Sequence, residues 1–355
     1  MSTRHERRPV GPPQGQRLVV DLHCHALSLE VERLVADRPE KKAEPQLQLR
    51  AQGEASTLHN ATVMLPRAMP KLTDIELRLR DMDSMGVDVQ VVSPSPNQYY
   101  YWADEELARE IVRVQNEHIA SLADGHPRRI VGLGTLAPQH PRLAVEQLEH
   151  GVRRLGLRGF EVSSSVNGLE LSDSSLEPVW ARAEELGCLI FLHPLGTSLG
   201  ARLDRFYLCN TVGQPVETTV ALSHLIFGGV LDRYPGLKLC AAHGGGYLPH
   251  YLGRSDHAFR VRPEAGHIQR PPSEYLKGIW FDTVVHDPEV LRRLIDIVGA
   301  SQVVVGTDYP FDMGAYDVQA LVDAVPGLSD AERARILGIN AAELLGLDAA
   351  ETQRT

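Results

Sequence analysis

The 355-residue chain predicts an α/β fold, a (β/α)8 TIM barrel with a small insertion after its first strand. Three observations carry that expectation. Eight short runs rich in Val, Ile and Leu alternate with stretches of helical periodicity, and strands of a parallel sheet covered on both faces read as such continuous apolar runs. Four of the runs close on a histidine or an aspartate, and in a closed barrel the C-terminal ends of all strands open on one face. The composition, 43% hydrophobic and 23% charged, is that of an ordinary globular chain long enough for a large core.

In order, the runs fall at 18–23, 87–92 (V-D-V-Q-V-V), 129–136, 159–163, 188–193, 237–243, 279–284 and 303–308. Helical spacing lies between them at 74–85, where Ile75, Leu79, Met82 and Met85 share a face, and at 103–122, 142–155, 175–186, 215–228 and 287–298. The last begins with Asp287 as cap and Pro288 at the first helical position. An open doubly wound sheet shares this alternation, but only the barrel requires the chemistry to collect at one mouth. Residues 27–72 break the rhythm. Following strand 1, they predict an inserted lid or small subdomain at that mouth, with a solvated loop as the alternative. Residues 1–17, polar and rich in Pro and Gly, predict a flexible tail; residues 18–346 form the barrel; residues 347–355 are a C-terminal tail. The segment A-E-R-A-R-I-L-G-I-N-A-A-E-L-L-G-L predicts closing helices on the outside of the fold.

The formal net charge of −10 argues against a nucleic-acid surface, which needs clustered Lys and Arg. No run of 18 apolar residues predicts a membrane span, and the N-terminus lacks the apolar core of a signal peptide. Cysteines at 24, 188, 209 and 240 form no C-x-x-C pair, so reduced thiols and a cytoplasmic protein are expected. A small molecule fits best as partner.

The first run reads L-V-V-D-L-H-C-H. Residues two apart on a strand share a face, so His23 and His25 project together while Cys24 turns away. Alone, the pair reads equally well as two satisfied core histidines. Strand 5 ends in F-L-H-P with His193, strand 6 in A-A-H-G-G-G with His243, and strand 8 in G-T-D-Y-P-F with Asp308. Individually these are a strand end, a tight turn and a turn or cap residue. Together they are five polar groups closing apolar strands, all directed to one mouth. Imidazole nitrogens with one carboxylate oxygen suit zinc, and manganese or iron with less preference. His23, His25, His193 and Asp308 are assigned as ligands, leaving His243 beside the metal as acid/base. A rival reading takes G-T-S-L-G at 196–200 as a nucleophile elbow and H-G-G-G as an oxyanion loop. The order of the two is reversed here, and Ser198 lies beyond a Pro rather than on the turn after a strand.

The combination D-L-H-C-H, F-L-H-P, A-H-G-G-G-Y-L-P and G-T-D-Y-P-F resembles the amidohydrolase-related family of metal-dependent enzymes typified by aminocarboxymuconate semialdehyde decarboxylase. The likeness runs from about 18 to 346 and includes M-G-V-D-V-Q, P-V-E-T-T, F-G-G-V-L-D-R-Y-P and V-V-H-D-P. The resemblance implies zinc on His23, His25, His193 and Asp308, and a catalytic His243. It also implies arginines for a substrate carboxylate, some lent across a dimer interface. Arg254 and Arg262 match that region, Arg67 stands near the position of an early arginine, and Tyr207 and Tyr309 are further pocket candidates. Leu195-Gly196 stands where the decarboxylase has Trp and Asp, which leaves the muconate substrate unsupported. The expected protein is a non-oxidative decarboxylase of a small unsaturated or aromatic carboxylate, active as a homodimer or larger homo-oligomer, with His243 or Asp308 supplying the proton. A hydrolase or hydratase on the same site, and a barrel that merely binds a ligand, are the alternatives.

Overall fold

A computed structural model describes residues 17–347. The terminal tails expected at 1–17 and 347–355 lie outside the described residues except for residues 17 and 347 themselves. Eight parallel strands form the barrel: β1 Val20–Ala26, β2 Val89–Pro94, β3 Ile130–Thr135, β4 Gly159–Val162, β5 Leu189–Leu192, β6 Lys238–Ala241, β7 Trp280–Asp282 and β8 Val303–Val304. Each pairs with the next in sequence. Between β8 and β1 the wall is completed by Leu22 N–H to the Val305 carbonyl at 2.8 Å and His25 N–H to the Tyr309 carbonyl at 2.8 Å. The run expected at 303–308 therefore does line β1. Regular strand geometry stops early because its end must turn: Asp308 takes a positive φ of 55°. Gly306 is required there, since a Cβ would lie 2.9 Å from the Cβ atoms of both His23 and Asp282.

The pairing of β1 with β2 slips between Asp21 and Cys24. This bulge changes the phase of the strand. Below it, Val20 and Leu22 join the barrel interior with Val89, Val91, Leu133, Leu189 and Phe191. Above it, Cys24 belongs to the outer cluster beneath the helices, and the His23 ring lies 5.0 Å from that of Phe191. Simple alternation would have put the apolar pair and the imidazole pair on opposite faces; the extra residue puts both inside.

A buried polar chain ties this strand to its neighbours. Arg78, 2% exposed, donates to Gln90 Oε1 at 2.8 Å and to the His25 carbonyl. Its guanidinium lies 4.9 Å from the Tyr309 ring. Gln90 donates to Asp21 at 3.0 Å, and Asp21 accepts from the Thr307 hydroxyl at 2.6 Å and the Thr307 N–H at 3.0 Å. Each member satisfies the next, which a buried charge needs.

The expected helices are found at Ile75–Met85, Glu105–Gly125, Pro141–Arg153, Glu177–Leu186, Gln214–Phe227 and Pro288–Val298. Asp287 caps the last by accepting from Glu289 N–H at 2.8 Å. Residues 27–72 are no solvated loop: they carry helices Leu29–Val35, Pro39–His59 and Leu65–Thr73. His59 meets Asp312 at 3.1 Å, joining the segment to the loop after β8. The helices near the C-terminus correct an expectation. Instead of lying outside, Ala341, Ala342, Leu344, Leu345 and Leu347 share the interior cluster with Val20 and Leu22. Lys238, opening β6, donates to the Leu344 carbonyl at 3.1 Å, so these residues plug the N-terminal end of the barrel, where their apolar side chains find cover. No helix among the described residues is long and apolar enough to cross a membrane.

Candidate metal centre

At the opposite end, His23 and His25 from β1, His193 after β5, His243 after β6 and Asp308 after β8 converge. Ring centroids of His193 lie 4.9 Å from those of His23 and His25 and 5.0 Å from that of His243. His23 Nε2 and His25 Nε2 each stand 3.3 Å from Asp308 Oδ1, and His243 Nε2 stands 3.5 Å from Asp308 Oδ2. One ligand atom each from His23, His193, His243 and Asp308 falls within 4.8 Å of the others, a grouping that can hold a metal ion. His25 shares the same carboxylate oxygen from the other side.

The polar accounting of this cluster is incomplete. His23 Nε2, His25 Nε2, both ring nitrogens of His193 and Asp308 Oδ1 are buried with no hydrogen-bond partner. An unpaired buried polar group costs about 1–3 kcal/mol, and here one such atom each from His23, His25, His193 and Asp308 lies at a common centre. The far sides of the rings, by contrast, are fixed. His23 Nδ1 lies 2.6 Å from Asp282. His25 Nδ1 faces Ser93 Oγ at 3.2 Å and Glu161 at 3.4 Å, and Glu161 accepts from Tyr99 OH at 2.6 Å. Carboxylates behind imidazoles set the tautomer and leave Nε2 free to ligate. Sequence reasoning missed Asp282, Glu161 and Ser93, although a carboxylate inside an apolar strand, as in G-F-E-V-S and I-W-F-D-T, was the same signal that singled out the histidines.

With protein groups alone as neighbours, burial would strip His23 of its proton, but Asp308 and Asp282 outweigh it and push the imidazole up to about 10. Burial lowers His193, and the imidazoles of His23, His25 and His243 push it further down. Burial opposes charge on Asp308, yet the surrounding imidazoles hold it well below the ordinary carboxylate range. A persistent carboxylate, a neutral His193 and a His23 held where its surroundings favour positive charge make a donor set for a divalent cation, which would displace the His23 proton on binding.

His243 and Asp308 open on a cavity of about 320 Å³ walled by Pro215, Val284, Val285, Val290 and Met313, with Asn210, Gln214, Tyr247, His250 and His286 as its polar lining. Among the described residues, no Lys or Arg lines it. Arg67 is exposed on the helix Leu65–Thr73, and Arg254 is exposed on the helix Leu252–Val261. Arg262, just past that helix, is exposed and pairs with Glu264, Nε to Oε1 at 2.7 Å. Tyr207 lines a neighbouring cavity of about 400 Å³ with His59, Phe206, Asp312 and Met313. Tyr309 faces away from the cluster, its hydroxyl donating to Asp81 at 2.9 Å. One chain therefore brings together the five metal-side residues but not the arginines or Tyr309. The nucleophile-elbow alternative gains nothing, because Ser198 Oγ donates to Glu217 at 2.7 Å and meets no imidazole.

A family model described as Amidohydrolase matches residues 20–347. Over 277 residues the chain is 38% identical to a 2-amino-3-carboxymuconate-6-semialdehyde decarboxylase of Dictyostelium discoideum, covering 78% of this chain and 77% of that protein. Among solved structures, a 5-carboxyvanillate decarboxylase from Sphingomonas paucimobilis superposes with a TM-score of 0.80 at 26% identity, over 94% of this chain and 100% of its own. A dihydroxybenzoic acid decarboxylase from Polaromonas sp. JS666, with bound manganese and the inhibitor 2-nitroresorcinol, gives a TM-score of 0.76 at 25% identity over 96% and 100% of the two chains.

Proposed function

The chain belongs to the amidohydrolase family, and from that premise we propose a divalent-metal-dependent, non-oxidative decarboxylase of a small unsaturated or aromatic carboxylate. The observation that carries the reading is the set of unpartnered buried donor atoms, one each from His23, His25, His193 and Asp308, that meet at one centre beside a cavity. His23, His25, His193 and Asp308 would hold the ion, Zn²⁺ being favoured by three imidazoles and one carboxylate, with Mn²⁺ as a substitute. When bound, the ion polarises the oxygen groups of a substrate and lowers their proton affinity.

The protein's own part is positional and acid–base. The valines, Pro215 and Met313 accept a flat unsaturated body and exclude water from it. As the bond to the carboxyl carbon breaks, its electron pair stays on the substrate carbon and carbon dioxide leaves, so that carbon must gain a proton. His243, lining the cavity 3.5 Å from Asp308, is placed to deliver that proton, with Asp308 as the partner that holds its charge. The substrate's remaining carboxylate finds no cation in the cavity of one chain. A homodimer in which Arg254 or Arg262 reaches a neighbour's mouth would supply one; Tyr251, 71% exposed just before that helix, and Val261, 54% exposed at its end, support such a contact. Arg67 and Tyr207 are the candidates from the chain itself.

The test is product analysis of protein loaded with Zn²⁺ or Mn²⁺ and offered hydroxybenzoates and muconate semialdehydes. Carbon dioxide released in step with substrate loss is expected. Cleavage into two organic fragments, or addition of water, would replace the decarboxylase by a hydrolase or hydratase, and no turnover with no bound metal would leave a binding barrel.

A further inference from the structure

Asp282 is fully buried at the end of β7 and carries four hydrogen bonds. One oxygen, Oδ2, takes His23 Nδ1 at 2.6 Å and the main-chain N–H of His243 at 3.0 Å. The other, Oδ1, takes the N–H of Gly244 at 2.9 Å and that of Val284 at 3.0 Å. A carboxylate has about four acceptor sites, so nothing is spare. The turn it grips is one that needs holding. His243 adopts φ +54° and Gly244 φ +59°, a left-handed region costly for a residue with a side chain. A Cβ on Gly244 would stand 2.5 Å from Val285, so the turn needs glycine at that position.

We infer that Asp282 is a positioning residue that couples two parts of the site, fixing the His23 ring as a metal ligand and the His243 turn as the proton-delivering element through a single side chain. This rests on the metal reading proposed above. The coupling follows from where the bonds go. Loss of the carboxylate frees His23 to carry its proton on Nε2, where it can no longer ligate, and at the same time releases the His243 and Gly244 amides. Glu161 provides the contrast, since it faces His25 but accepts from the Tyr99 and Ser93 side chains and from no amide of that turn.

An amide cannot imitate Asp282. Whichever way an Asn is turned, its NH2 confronts two of the four donors. Asp282→Asn is therefore compared with Glu161→Gln in two measurements that need no substrate: Zn²⁺ affinity by competition with a chromophoric chelator, and hydrogen exchange of peptides containing residues 243–246. Both variants are expected to bind Zn²⁺ about 10–100-fold more weakly, but only D282N should lose amide protection in the turn. Unchanged Zn²⁺ affinity in D282N, or equal protection of the turn in both variants, would overturn the coupling. Should D282N not fold, the wild-type protein labelled with ¹⁵N-histidine decides the point. A His23 Nδ1 that keeps a hydrogen-bonded proton both with and without Zn²⁺ supports the inference, and an Nδ1 without a proton in either state overturns it. A wild-type chain that binds no Zn²⁺ would defeat the metal reading instead, while the exchange and tautomer results would still report on Asp282.

Discussion

The pole proposed to face a metal and the rim of arginines proposed to face a substrate are built on opposite terms. At the pole, His23, His25 and His193 are buried, on or next to strands, and the first two are braced from behind by Asp282 or Glu161. At the rim, Arg67, Arg254 and Arg262 are exposed on or beside helices, and Phe206 is 86% exposed. Groups that answer to a fixed ion are preorganised by the wall of the barrel. Groups that answer to a variable molecule or a second chain have no such constraint within one chain.

That difference can be attacked from its strong side first. Chelation, or His193→Ala, should reduce turnover to background, with Zn²⁺ or Mn²⁺ restoring only the chelated wild type, as followed by carbon dioxide release. His243→Gln should lower kcat by about 10²–10⁴-fold, the range of positioned acid–base groups, with little change in KM and with metal content retained. A H243Q protein that has lost its metal would move His243 into the ligand set. The rim should respond differently. Arg254→Ala or Arg67→Ala is expected to raise KM by about 10–100-fold, as for a lost charge-assisted hydrogen bond, with kcat nearly kept. Equal effects on kcat and KM would erase the distinction between pole and rim.

The smallest effect concerns the inserted segment. Glu32 accepts from Tyr100 OH at 2.5 Å and Gln98 at 2.8 Å and pairs with Lys41 at 3.1 Å. Burial alone would raise its carboxyl, but these partners hold it below the ordinary value of 4.5. A carboxyl depressed in the folded state contributes stability that is present above pH 4.5 and lost as pH falls through its lower folded value. Hydrogen exchange in helix Leu29–Val35 should therefore quicken, relative to intrinsic rates, on acidification below pH 4.5, while the barrel strands stay protected.

The pole was readable in the sequence because an apolar run ending in His or Asp is an anomaly that one strand position explains. The same rule would have found Glu161 and Asp282, had buried carboxylates been weighed like histidines. Helix positions were readable from periodicity, and Asp287-Pro288 marked its start to the residue. The rest was not, for physical reasons. The plug at Ala341–Leu345 has the same apolar periodicity whether it packs outside or beneath a barrel. Tyr309 turns to Asp81 because a positive φ at Asp308 redirects the chain. Which arginine would meet a carboxylate has no local signature, because Arg67, Arg254 and Arg262 are alike exposed on or beside helices.

The slip in β1 gives the molecule two storeys whose contents are chosen separately. Below the slip the floor is hydrocarbon and can be refilled with other shapes; above it the furnishing is nitrogen and oxygen and cannot. Pairing β1 with β2 in one unbroken register, with no residue lost, would keep every side chain of the upper floor in the sequence and turn it toward the helices, leaving an intact house with its hearth outside.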